Sequence, residues 1–66
     1  MNVTVNGEDA VLVEGVTLAD VVAARLKTDK GVAAAVDGEV APKATWSAFV
    51  LRDGAAIELL TAVQGG

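Results

Sequence analysis

The sequence predicts an α+β fold, a mixed sheet of about four or five strands with one helix packed on one face. Its turns, its one helical stripe and the order of its apolar runs predict this. Short Val-rich runs are bounded by Asn6-Gly7, Asp37-Gly38 and Asp53-Gly54, dipeptides that suit tight turns. After Thr17, the residues Leu18, Val21, Val22 and Leu26 fall on one helical stripe. The runs follow the order strand, strand, helix, strand, strand, turn, strand.

The first strand spans Asn2 to Asn6, with Val3 and Val5 facing one way and Asn2, Thr4 and Asn6 the other. Asn6-Gly7 suits a type I′ turn, whose central residues both need positive φ. The return strand is expected over Ala10 to Val13, where three apolar residues leave its facing ambiguous. Thr17 is the expected N-cap, with Asp20 completing a capping box and favouring the positive end of the helix dipole. The helix is expected from Leu18 to Thr28, with Lys27 and Lys30 near its C-terminal end and Gly31 as a left-handed cap.

Val32 to Val36 is apolar on both faces, which predicts a strand flanked on both sides. Asp37-Gly38 turns the chain into a short strand at Glu39 to Ala41, and Pro42 ends it because it has no N–H to donate. Lys43 to Phe49 is expected as a helical turn or loop. Its Trp46 and Phe49, the only aromatic residues, are expected to plug one edge of a Val-rich core. The last strand is Ala56 to Thr61, with Ile57 and Leu59 inward and Glu58 and Leu60 outward. A last strand laid parallel beside the first, after a helical crossover, is the β-grasp layout. It leaves one face of the sheet uncovered, free for a partner.

Composition narrows the function. The 66 residues make one domain, near the lower size limit for folding without cross-links. With no Cys and no His, there is no disulfide framework, no thiol nucleophile, and no histidine base or metal ligand. No catalytic residue and no metal site are expected. The net charge of −4 and the five Lys and Arg residues argue against a nucleic-acid partner. The longest purely apolar run, Val32 to Val36, is far too short to span a membrane. No leader pattern opens the sequence, and a cytoplasmic location is expected.

The candidate site is the end of the sequence. Residues 1–62 are expected to form the domain, and residues 63–66 (Val63, Gln64, Gly65 and Gly66) a flexible tail. Glycine has no Cβ to shield the last carbonyl carbon from a nucleophile. Four extended residues reach about 13 Å, enough to carry Gly66 into another protein's active site. The chemistry that fits is activation of the Gly66 carboxylate by ATP, then displacement of AMP by a nucleophile. A chance Gly-Gly end has a frequency of about 0.5%, so the motif has weight only on the right body. Leu60 and Glu58, outward-facing just before the tail, are the expected partner contacts.

On the right body, these pieces resemble a known family. Asn2 to Asn6, Thr17-Leu18-Ala19-Asp20, Val36-Asp37-Gly38-Glu39-Val40 and Pro42 followed by Trp46 occur in that order. Leu51-Arg52-Asp53-Gly54, Ile57-Glu58 and Gly65-Gly66 follow. In order and spacing they resemble the ubiquitin-like sulfur carriers, most closely the ThiS family of thiamine biosynthesis, over essentially the whole chain. Ala55 stands where that family often has a second acid. The resemblance implies that an E1-like adenylating enzyme of the ThiF type uses Mg-ATP to convert Gly66 to an acyl-adenylate. Sulfur from a donor such as a cysteine desulfurase persulfide then makes a thiocarboxylate, which a thiazole synthase of the ThiG type consumes. It implies a protein co-substrate that is not itself an enzyme and binds no cofactor of its own. The small subunit of molybdopterin synthase, another ubiquitin-like sulfur carrier and a protein modifier are the alternatives.

Overall fold

The computed structural model describes residues 1–61. The expected boundary at residue 62 and the tail beyond it lie outside the described residues. The elements are β1 (Asn2–Val5), β2 (Glu8–Val11), α1 (Leu18–Arg25), β3 (Val32–Val36), β4 (Glu39–Ala41), a 3₁₀ helix (Lys43–Ala48) and β5 (Ala56–Thr61). They form one sheet in the order β2-β1-β5-β3-β4. β1 and β5 run parallel, and the other neighbours are antiparallel. This is the β-grasp architecture expected from the sequence.

Both hairpins turn where positive φ is available. Asn6 and Gly7 adopt φ of 52° and 83°, and Asp37 and Gly38 adopt 53° and 85°. The first turn corrects one boundary. β2 starts at Glu8 rather than at Ala10, because a two-residue turn places Val5 directly opposite Glu8. Turn geometry, not the apolar run, sets the register. Leu12 is still bonded to Met1 in both directions, at 2.9 and 2.7 Å, while Val13 lies beyond the strand.

The helix start is as expected. The Asp20 N–H donates to Thr17 Oγ1 at 3.2 Å, and the Thr17 N–H donates to Asp20 Oδ2 at 2.9 Å. The helix end is earlier than expected, at Arg25 rather than Thr28. Leu26 is already extended, with φ −129° and ψ 145°, although its N–H still reaches the Val22 carbonyl at 2.9 Å. The extended backbone keeps the Leu26 side chain against the core and turns the chain back toward β3. Lys27 and Lys30 therefore lie beyond the helix, and Gly31 does not cap it. Gly31, at φ 69°, serves the turn into β3 in which Val32 N–H bonds the Asp29 carbonyl. Arg25 is the cation of the last helical turn. Its contact with Glu8, 3.8 Å between exposed side chains, is worth little.

The core lies between α1 and one face of the sheet. Its largest fully buried side chains are Val5, Leu18 and Ile57, one each from β1, α1 and β5. Trp46 closes one edge of this core. It is 4% exposed and donates its Nε1–H to the Ala41 carbonyl at 2.8 Å, while Phe49 is partly buried beside the same cluster. The segment after the 3₁₀ helix is tied to the helix start. Leu18 N–H donates to the Phe49 carbonyl and Leu51 N–H to the Val16 carbonyl. A first-turn amide of α1, which has no partner within the helix, is thereby satisfied.

Two substitutions test these assignments in urea titrations. Thr17→Ala is expected to lower stability by about 1 kcal/mol through loss of the cap. Trp46→Ala is expected to cost about 3–5 kcal/mol by the cavity it leaves, a large part of the about 5–15 kcal/mol that holds a typical domain folded. Near-wild-type midpoints would contradict both assignments.

Candidate functional site

The strand that leads to the tail is the most enclosed in the sheet. β5 lies between β1 and β3, and its register with β3 runs from Val36↔Ile57 to Val32↔Thr61. Strand alternation sends Ile57 and Leu59 into the core and Glu58 and Leu60 to the opposite face. Among the described residues that face has no helix on it, because α1 packs on the other side. The expected inward and outward sets of β5 are thus the observed ones.

The open face has a definite composition near the end of β5. Leu60 stands opposite Ala33, Glu58 opposite Ala35, and Ala35 opposite Val40 of β4. The alanines are a low floor, above which Leu60 and Val40 stand 68% and 76% exposed. Glu58, also exposed, stands two residues from Leu60 on the same strand and across Ala35 from Val40. The sequence singles out Leu60 and Glu58. Its Asp37-Gly38 hairpin already sets Val40 beside the Val32 to Val36 strand, but that Leu60 borders the same alanines follows only from the β3–β5 register. Val63, Gln64, Gly65 and Gly66 lie outside the described residues.

β5 is also held by side chains from neighbouring turns. Leu59 N–H donates to Asn6 Oδ1 at 2.8 Å, and Ala56 N–H donates to Asp37 Oδ1 at 3.0 Å. The turn before β5 is fixed to the first strand. Asn2 N–H donates to Asp53 Oδ1 at 2.7 Å, and Gly54 N–H donates to the Asn2 carbonyl at 2.6 Å. Asp37 and Asp53 remain at the surface, as turn acids do, but each is also a fastener. Sequence reasoning missed all three roles.

Ala55 is 4% exposed and contributes its methyl to the core. A carboxylate at this position would be desolvated, so alanine makes the turn before β5 a packing contact.

Among the described residues no group of His, Cys, Asp or Glu is arranged to hold a metal ion, and no helix is long and apolar enough to cross a membrane. A surface depression of about 380 Å³ lies on the helix side, lined by Ala19, Val22, Leu26 and Asp29 among others. Lys27 and Asp29 stand together on its rim.

A small β-grasp body with an open sheet face and a terminal strand at its centre defines a ubiquitin-like protein. A family model described as the ThiS family matches residues 3–66, and the chain belongs to that family, the sulfur carriers of thiamine biosynthesis. The crystal structure of the thiamine biosynthesis protein ThiS from Geobacter metallireducens is 29% identical. It aligns over 100% of both chains with a TM-score of 0.84. A solution NMR structure of a thiamine biosynthesis protein from the same organism is 29% identical. It covers 100% of this chain and 88% of its own, with a TM-score of 0.81. No curated protein matches the chain.

Proposed function

We propose that the chain carries sulfur on the carboxylate of Gly66. An E1-like enzyme of the ThiF type binds Mg-ATP, and the Gly66 carboxylate attacks the α-phosphorus with loss of pyrophosphate. The terminal sulfur of a persulfide, such as that on a cysteine desulfurase, displaces AMP from the acyl carbon. Thiol cleavage of the resulting S–S bond leaves a thiocarboxylate, whose anionic sulfur is the nucleophile taken up by a thiazole synthase of the ThiG type. ATP and Mg belong to the adenylating partner. The carrier contributes reach and shape rather than a catalytic side chain.

The observation that carries this reading is the family match, which runs through Gly65-Gly66. The body supports it: β5, paired with β3 as far as Thr61, is a firm base for the tail of Val63, Gln64, Gly65 and Gly66. The open face supplies a dock beside that base. Leu60 and Val40 present apolar area, and Glu58, beside Leu60 on the same strand, is there to meet a basic group on the partner. The compartment in this reading is the cytoplasm, where thiols and persulfides persist.

Intact-mass analysis tests the chemistry. After incubation with the adenylating enzyme, Mg-ATP and a persulfide donor, the chain is expected to gain the mass difference between sulfur and oxygen, located at Gly66. An unchanged mass with an enzyme that processes another carrier would refute the proposal. A second measurement tests the dock. Leu60→Lys is expected to leave stability within about 0.5 kcal/mol, as exposed substitutions do. It should weaken binding to the adenylating enzyme by about tenfold or more, the loss of one interface anchor. Unaltered binding in a titration calorimeter would remove Leu60 from the interface.

A further inference from the structure

β5 runs on past the end of its first neighbour. Its pairing with β1 stops at Val5↔Ile57, whereas its pairing with β3 continues to Thr61. Along the β1 side, Thr4 N–H donates to the Ala55 carbonyl at 3.0 Å and Asn6 N–H to the Ile57 carbonyl at 2.8 Å. In a regular parallel ladder the backbone carbonyl of Asn6 would next accept the Leu59 N–H. Asn6 instead enters the hairpin turn at φ 52°. Its side-chain carbonyl accepts that N–H, at 2.8 Å in a partly buried setting. The side chain thus supplies the rung that the turn removes.

We propose that Asn6 is a positioning residue for the tail. By taking the Leu59 amide, it holds the tail-bearing end of β5 on the side where β1 no longer does. The claim rests on the sulfur-carrier reading above. A base free to fray at Leu59 would spread Gly66 over more orientations and reduce the fraction aimed into the adenylating site. The body would dock as before, because Asn6 is not among the apolar residues of the open face.

Asn6→Gly isolates the effect, since glycine adopts positive φ without strain and only the acceptor is lost. Asn6→Asp is the restoring variant, because aspartate also visits the left-handed region and keeps an acceptor oxygen. The full chain, isotopically labelled, is compared by amide hydrogen exchange and by steady-state adenylation with the partner enzyme. In Asn6→Gly, exchange at Leu59 is expected to rise about tenfold relative to Ile57, the loss of one partly buried hydrogen bond. The kcat for Gly66 adenylation should fall about three- to tenfold with KM for the carrier unchanged, because orientation and not docking is impaired. Asn6→Asp should recover both values.

Equal changes at Leu59 and Ile57 would overturn the clamp. A deprotected Leu59 with kcat within about twofold of wild type would overturn the positioning role, since a purely structural bond alters stability without altering the turnover of folded protein. Failure of Asn6→Asp to recover kcat would do the same. If the wild-type chain is not adenylated at all, the carrier reading fails and the positioning role fails with it. The Leu59 exchange ratio then still decides whether the hydrogen bond holds the strand.

Discussion

The parallel pairing of β1 with β5 is the contact on which the rest of the structure depends. Parallel neighbours cannot be joined by a tight turn, so a crossover must lie between them. Here it includes α1, β3, β4 and the 3₁₀ helix. The fully buried Val5, Leu18 and Ile57 come from the two paired strands and the crossing helix. Bringing them together is a non-local event that closes nearly the whole chain, and local hairpins alone would not be stable. The capping box at Thr17 and the backbone bonds from Leu18 and Leu51 aim the helix across this pair.

One helix covers one face, and that economy determines where a partner can act. The core side is filled by Val, Ala, Leu and Ile, with Trp46 closing the edge. Among the described residues the other face has no layer over it, which leaves apolar residues such as Leu60 and Val40 exposed there. Ala33 and Ala35 leave room above β3, and Leu60 and Val40 border that space. The proposed dock and the strand that leads to the tail are therefore parts of one surface, and a partner gripping that face would also hold the base of the tail.

Much of this was legible because it rests on short-range chemistry. Asn-Gly and Asp-Gly announce positive φ, Thr17 and Asp20 announce a helix start, and Ile57 and Leu59 alternate with Glu58 and Leu60. The misplaced boundaries are cases in which a non-local or geometric demand prevailed. Val11, Leu12 and Val13 look like the strand, but the two-residue turn forces pairing to resume at Glu8. Lys27 and Thr28 are compatible with helix, yet the chain must turn back toward β3, and Leu26 reaches the core from an extended backbone. The partnership of Val40 with Leu60 across the alanine floor depends on register, which residue types alone do not specify. For the tail, the sequence and the family model are the whole of the argument, since residues 62–66 lie outside the described part.

The two hairpins have a common device that sequence signals for turns do not convey. Among the described residues, Asn6 and Asp37 are the non-glycine residues with positive φ, and each opens a turn beside β5. A residue that rotates out of its strand keeps its N–H in the ladder but turns its carbonyl away. A short amide or carboxylate at that point can put an oxygen back. Asn6 does this for Leu59 and Asp37 does it for Ala56. β1 and β3 run in opposite directions and both end opposite Ile57, so their turns reach β5 from its two sides. The same residue types that make the turns thus fasten the central strand on both sides. Glycine in either place would preserve the turn and lose the fastener.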